Sequence, residues 1–233
     1  TARTASASAH ETPSTDEVLP RSSRMQRFPA PECAAFEAVM SPDGRYLFTD
    51  NFTADRKKDY ICVIDVRSKR LVTRIRLVTK DVLGVTEFTL SRDGRYLYVD
   101  AMIPHRLLGP SFVESQLIKV DTRTFQVVAR FTPETDDGTG EPDGMSLFGL
   151  TGTSTDTVLA SQYLGKRSTI YRASVAARSL EVVTSNAPGD TAVLCLSRDE
   201  STIWALGQTL ARIDAATGMT LARSNEVGGP WPR

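Results

Sequence analysis

The sequence predicts an all-β fold built from repeated antiparallel units, on three observations. The octet Ser41-Pro42-Asp43-Gly44-Arg45-Tyr46-Leu47-Phe48 returns fifty residues later as Ser91-Arg92-Asp93-Gly94-Arg95-Tyr96-Leu97-Tyr98. In both copies apolar, β-rich runs flank a polar turn, and the Asp-Gly pair supplies the positive φ that a hairpin loop needs. From Phe28 onward the same alternation of short strand patterns and turn signals continues, and Ser197 follows Ser91 by 106 residues, about two further periods.

Offsets from the repeated serines divide the chain into four units of four strands, A to D. The first unit is expected to place them at Phe36–Met40, Arg45–Asn51, Tyr60–Val66 and Leu71–Leu77, and the second at Thr86–Leu90, Arg95–Ala101, Gln116–Asp121 and Val127–Phe131. The third unit has lost the turn signature but keeps the spacing, at Ser146–Leu150, Thr157–Tyr163, Thr169–Val175 and Leu180–Thr184. In the fourth, Ser197-Arg198-Asp199-Glu200 replaces the Asp-Gly turn, between Ala192–Leu196 and Thr202–Leu206, with Leu210–Asp214 and Met219–Ser224 following. Residues 1–27, rich in Ser, Thr and Ala and without helical or strand periodicity, read as a disordered tail, leaving 28–233 as the folded domain.

Four-stranded antiparallel units at this period compose a β-propeller, each blade packing its faces on its neighbours. The runs Tyr46-Leu47-Phe48-Thr49-Asp50-Asn51, Val63-Ile64-Asp65-Val66 and Leu71-Val72-Thr73-Arg74-Ile75 resemble the YVTN-type repeat of surface-layer, lactonase-like and quinoprotein amine dehydrogenase-like propellers. Ile118-Lys119-Val120-Asp121-Thr122 with Val127-Val128-Ala129-Arg130-Phe131, and Arg212-Ile213-Asp214-Ala215 with Leu221-Ala222-Arg223, repeat the later half of that pattern. Asp50 replaces the second-last residue of the tetrad and Ala101 replaces its Asn in the second unit; no Trp-Asp dipeptide ends strand C, as WD40 repeats would have it. The resemblance implies a scaffold, and an active site does not travel with it. Members of this family commonly close with seven blades, so four units raise the expectation of a larger ring, a partner that completes the ring, a homo-oligomer, or a small four-bladed closure. Val227–Arg233 reads as a loop leading toward another innermost strand.

Composition narrows the function classes. Basic and acidic residues balance at 28 each, without the electrostatic footprint of a nucleic-acid binder. No apolar run approaches the roughly 20 residues that cross a bilayer as a helix. The three cysteines, Cys33, Cys62 and Cys195, lack metal-ligand spacing, and Cys62 and Cys195 sit in apolar strand patterns where free buried thiols are expected. Trp204, inside a strand, is expected in the core.

In such a fold the A-to-B and C-to-D turns share one face and the longer B-to-C and D-to-A connections the other. Long loops on a rigid scaffold are the first place to seek a ligand site. The connections at 52–59, 78–85, 102–115 and 132–145 single out that second face. Glu37 and Glu87 stand four residues before their repeat serines and Asp50 and Asp100 nine after, so register sets Glu37 opposite Asp50 and Glu87 opposite Asp100. Like charges across a ladder are destabilising, which asks for a cation, a shared proton or a different register in which these acids face solvent. A Ca²⁺ ion would suit the carboxylates, with Asn51 as a neutral ligand; a shared proton would raise one pKa. His105, with Arg106 beside it, is a candidate general base or a hydrogen-bonded surface group. The acidic run Glu134–Asp143 reads as a solvated turn. The expectation is a binding module for a protein or small ligand at the long-loop face and channel mouth. The alternative implied by the resemblance is a lactonase-like hydrolase or quinoprotein-dehydrogenase-like enzyme.

Overall fold

The computed structural model describes residues 33, 37–51, 60–77, 82, 84–105, 109–135, 143–144, 147–164, 167–189 and 191–224; the N-terminal segment 1–27, Arg106 and Trp231 lie outside them. Four antiparallel four-stranded sheets follow one another along the chain, each paired in sequence order. The first holds β1 (Ala38–Met40), β2 (Tyr46–Thr49), β3 (Tyr60–Asp65) and β4 (Arg70–Arg76). The second holds β5 (Gly84–Leu90), β6 (Tyr96–His105), β7 (Gly109–Asp121) and β8 (Gln126–Phe131). A short ladder of β9 (Glu134–Thr135) with β10 (Asp143–Gly144) comes next, in the segment expected to be a solvated turn. The third sheet holds β11 (Leu147–Gly152), β12 (Val158–Leu164), β13 (Arg167–Ser174) and β14 (Ser179–Pro188), and the fourth β15 (Val193–Leu196), β16 (Thr202–Leu206), β17 (Leu210–Asp214) and β18 (Thr220–Arg223).

These sheets are the blades of a propeller. Their first strands are the innermost: β1 packs on β5, β5 on β11 and β11 on β15. No comparable packing returns from β15 to β1 among the described residues. Side-chain alternation along each second strand makes the core, because successive residues point to opposite faces of the sheet. In β6, Leu97 and Val99 point back onto Phe48, Ile61 and Val63 of the first blade, whereas Tyr98 points forward onto Leu147, Val158 and Ala160 of the third. Leu159 continues the series toward Leu194, Ile203 and Ala205 of the fourth. A blade interior here is therefore a run of apolar residues on both faces, as expected of sheets covered twice.

The repeated octet is a self-contained turn. Ser41 Oγ donates to Asp43 Oδ1 at 2.6 Å and accepts the Tyr46 N–H at 2.8 Å, while Asp43 Oδ1 also accepts the Arg45 N–H at 3.0 Å. Ser91, Asp93, Arg95 and Tyr96 repeat those bonds, and Ser197 with Asp199 does so in the fourth blade. Gly44 and Gly94 take the left-handed position at φ 68° and 69°; Glu200 takes it at 59° where the sequence dropped the glycine. The C-to-D turns share a second such position, filled by Lys69, Phe125, Arg178 and Gly218. Only glycine fits at the last, since a Cβ there would lie 1.8 Å from the Val183 carbonyl oxygen of the preceding blade.

Four expectations need correction. Cys62 is buried but not free: it is bonded to Cys33, 29 residues earlier, tying the segment before β1 onto the first blade. Apolar neighbours made it look like a packing thiol, and the pairing depends on where the chain before β1 runs. Cys195 and Trp204 are both exposed, because they lie on the face of the fourth blade that no other sheet covers among the described residues. The 102–115 connection is mostly ladder, with Met102 opposite Ser115, Ile103 opposite Glu114 and Pro104 opposite Val113.

Two stability measurements follow. Reduction, or Cys33→Ser, is expected to cost about 3.5 kcal/mol in urea unfolding, the chain-entropy scale for a loop of this length. Gly44→Ala should cost about 1 kcal/mol, for the left-handed backbone alone. Gly94→Ala should cost about 1–3 kcal/mol more than that, because its Cβ would stand 2.5 Å from Pro42 Cδ of the neighbouring blade whereas nothing lies within 4 Å of the Gly44 position.

Candidate functional site

The acids singled out by the repeat occupy the predicted register. Glu87 lies opposite Asp100, and in the first blade the Glu37 N–H donates to Asp50 Oδ1 at 3.0 Å while the Asp50 N–H reaches the Glu37 carbonyl at 3.4 Å. The side chains of the two glutamates, however, turn to the next blade. Glu37 Oε2 accepts the Phe88 N–H at 3.2 Å, and Glu87 accepts hydrogen bonds from the Gly149 and Leu150 amides. Each glutamate satisfies backbone donors of the following innermost strand, which would otherwise be buried without partners. The blades are stitched together at this end by the residues that a metal site would have used.

Burial governs the ionisation of this set. Desolvation pushes Glu37 up to about 7, with Glu87 and Asp50 adding to the rise and the Phe88 N–H opposing it. Desolvation also raises Glu87, against the two amides it accepts. Asp100 is fully buried and burial carries it to about 7, opposed by the hydroxyls of Thr86 and Ser115 and reinforced by Glu87. Its Oδ2 takes the Thr86 hydroxyl at 2.5 Å, whereas its Oδ1 has no hydrogen-bond partner. Ser115 Oγ is engaged as the acceptor of the Leu147 N–H at 2.9 Å. Asp50 and Asn51 are buried beside the end of β2. His105 closes β6 opposite Gly109, at the tip of the extended hairpin and away from the strand rungs that carry the acids. Among the described residues no three His, Cys, Asp or Glu side chains are grouped to hold a metal ion.

Sequence reasoning missed two features of this end. Ser115 and Ser168 are repeat counterparts, each accepting an N–H from the start of the next blade, at Leu147 and at Thr191. Ser161, the counterpart of Asp100, donates across the same junction to the Thr191 carbonyl at 2.7 Å. Lone serines in strands carry no signal until the blades are superposed. On the opposite face the turns of the first two blades enclose a cleft of about 570 Å³, lined by Asp43, Arg45, Tyr46, Asp93, Arg95 and Arg123 among others. Arg45 lies 4.8 Å over the Tyr46 ring, and the Ser41 and Ser91 hydroxyls hold Asp43 and Asp93 below the usual carboxylate range, so the cleft carries both signs of charge.

Stability should track these acids with a defined sign. A carboxyl raised from the ordinary range to about 7 keeps its proton in the folded chain after the unfolded chain has released it. The stabilisation is complete below the unfolded pKa and is lost as pH rises through about 7. Asp43, Asp93 and Asp199 have the opposite sign, their contribution being lost only as pH falls below the ordinary carboxylate range. Urea midpoints should therefore fall between about pH 5 and pH 8, and Asp100→Asn should flatten that slope; an unchanged slope would show that Asp100 ionises normally.

No family model matches the chain, and no curated protein does. Solved structures do match. Hydrazine synthase of Kuenenia stuttgartiensis shares 17% identity, with 77% of this chain and 58% of that one covered and a TM-score of 0.60. The dihydro-heme d1 dehydrogenase NirN shares 16%, covering 85% and 38%, with a TM-score of 0.55. A putative 6-phosphogluconolactonase from Bacteroides uniformis shares 13%, covering 78% and 51%, with a TM-score of 0.52. The chain thus spans between 38% and 58% of the chains it resembles. Identities this low carry the fold and nothing finer. Four antiparallel four-stranded sheets with stacked innermost strands, matched by these structures, make this chain an all-β propeller of four blades.

Proposed function

We propose that this chain is a binding module whose ligand, a protein segment or small molecule carrying a positive charge, is recognised at the end of the propeller where the long connections and the channel mouth meet. The observation that carries the reading is Asp100, fully buried, with one carboxylate oxygen unpartnered and Glu87 beside it. A buried acid with spare acceptor capacity gains from a cation, which would offset its desolvation and lower its pKa. Glu37, Asp50, Asn51 and Glu87 supply further oxygens on the neighbouring rungs, and a divalent ion such as Ca²⁺ is one cation that could use them. Because both glutamates are already engaged with backbone amides, an organic ammonium that needs only one or two acceptors fits this set better than an ion that demands six or more. The names of the solved neighbours include enzymes, but identities of 17% and below bring no reaction to this chain. The Cys33–Cys62 bond favours an oxidising, extracytoplasmic setting.

Calorimetric titration of the intact chain with CaCl₂, and separately with spermidine at low salt, tests the reading. Saturable binding of at least one is expected, weakened about tenfold or more in Asp100→Asn, as for loss of a buried charge partner. No saturable binding of either probe, or binding indifferent to Asp100, would overturn it.

A further inference from the structure

The three arginines of the cleft between the first two blades are not needed by the turns that carry them. Arg45, Arg95 and Arg123 each donate a backbone N–H to the aspartate two residues earlier, Asp43, Asp93 and Asp121, and it is this bond that shapes the turn. The fourth blade makes the same two turns with Ser201, whose N–H donates to Asp199, and with Ala216, whose N–H donates to Asp214. The aspartates therefore serve the backbone, whereas the guanidinium groups are additions to it. All three line one cleft of about 570 Å³, a volume within the range of small-molecule sites.

The arginines are also held ready. Arg45 lies 4.8 Å over the Tyr46 ring and Arg95 5.1 Å over the Tyr96 ring. Contact with a ring occupies the flat face of a guanidinium and leaves the N–H donors around its edge for a ligand. Neither ring is demanded by the turn, since Thr202 stands in that place in the fourth blade. Tyr46 is backed by Phe125, edge-on at 5.5 Å, which reaches it from a left-handed backbone position (φ 56°) that strains a bulky residue. Pro42 abuts Gly94 and fixes the two framing turns against each other. A cleft built this way loses little freedom on binding.

Charge decides what it takes. Asp43 and Asp93 bring two negative charges into the lining, and each is already engaged through Oδ1 with a serine hydroxyl and a backbone amide. Arg45 Nε stands 3.9 Å from Asp65 Oδ2, at the outer limit of an ion pair. Among the described residues the Arg95 and Arg123 side chains form no ion pair or hydrogen bond, and Asp93 and Asp121 act on them only through space. Donors to spare thus come from three separate turns. A tetrahedral phosphate can present an oxygen to each of them, whereas a planar carboxylate has only two, and a dianion gains more from the excess of cations.

We infer that this cleft is a second ligand site, taking a small organic phosphate whose phosphoryl group is held by Arg45, Arg95 and Arg123 and whose carbon body lies against Pro42 and Tyr46. The site is separate from the acid set at the other end of the propeller and opposite to it in charge preference.

Calorimetric titration of the intact chain with phenyl phosphate at low salt tests this. Saturable binding is expected, with benzoate, which pairs the same ring with a planar monoanion, at least about tenfold weaker. Arg95→Ser and Arg123→Ala copy the residues of the fourth blade, so each should keep its urea midpoint while affinity falls about tenfold or more, the scale of one charge-assisted pair. In the parent chain, phenyl phosphate should slow the modification of Arg95 and Arg123 by phenylglyoxal, read by peptide mass mapping. An absence of saturable binding up to about 10 mM phenyl phosphate, well above a millimolar Kd, would overturn the inference. So would equal affinity for benzoate, binding indifferent to both substitutions, or arginines that the ligand leaves unprotected.

Discussion

Every blade of this molecule is stable only because another blade covers it. A four-stranded sheet with apolar residues on both faces cannot stand in water alone, and the alternation along the second strands sends Leu97 and Val99 one way and Tyr98 the other. Three apolar layers result, between the first and second, second and third, and third and fourth sheets. Everything else in the fold serves that stacking. The serine-aspartate turns hold each hairpin compact without borrowing groups from elsewhere, Gly94 lets the Pro42 turn approach, and Gly218 lets the fourth blade approach the Val183 carbonyl. Basic side chains reinforce the seams: Arg130 reaches the Leu77 carbonyl, Arg172 reaches that of Ala215, and Lys119 pairs with Asp156, which also accepts the Tyr98 hydroxyl.

The same requirement explains the acids. Innermost strands of adjacent blades lie too close for water to serve every backbone amide, and Glu37 and Glu87 supply acceptors to Phe88, Gly149 and Leu150. In the next junction serine hydroxyls take over at Thr191, Ser168 accepting its N–H and Ser161 donating to its carbonyl. Using carboxylates has a consequence that hydroxyls lack. Their burial moves proton release toward neutral pH and leaves Asp100 with unused acceptor capacity, which makes the long-connection end a chemically responsive part of an otherwise structural seam.

Legibility in the sequence followed the range of the interaction. The Ser-x-Asp-Gly turns, the strand order within each blade and the Glu87–Asp100 register were all readable, since a turn of fixed length sets the pairing of the strands it joins. The direction of the glutamate side chains was not readable, because Phe88 lies 51 residues from Glu37 and meets it only through stacking. Trp204 and Cys195 looked like core residues for the same reason: strand alternation tells which residues share a face, but not whether that face has a neighbour. The Cys33–Cys62 bond joins residues 29 apart, and apolar context at Cys62 gave no sign of it.

The sequence by itself determined the blade, as local hydrogen bonding and period-two patterning must. Tertiary structure decided what each blade face meets: which acid reaches which amide, which cysteines join, and which apolar face is left open. Those outcomes depend on contacts between units separated by whole periods of the repeat, and no local propensity carries that information.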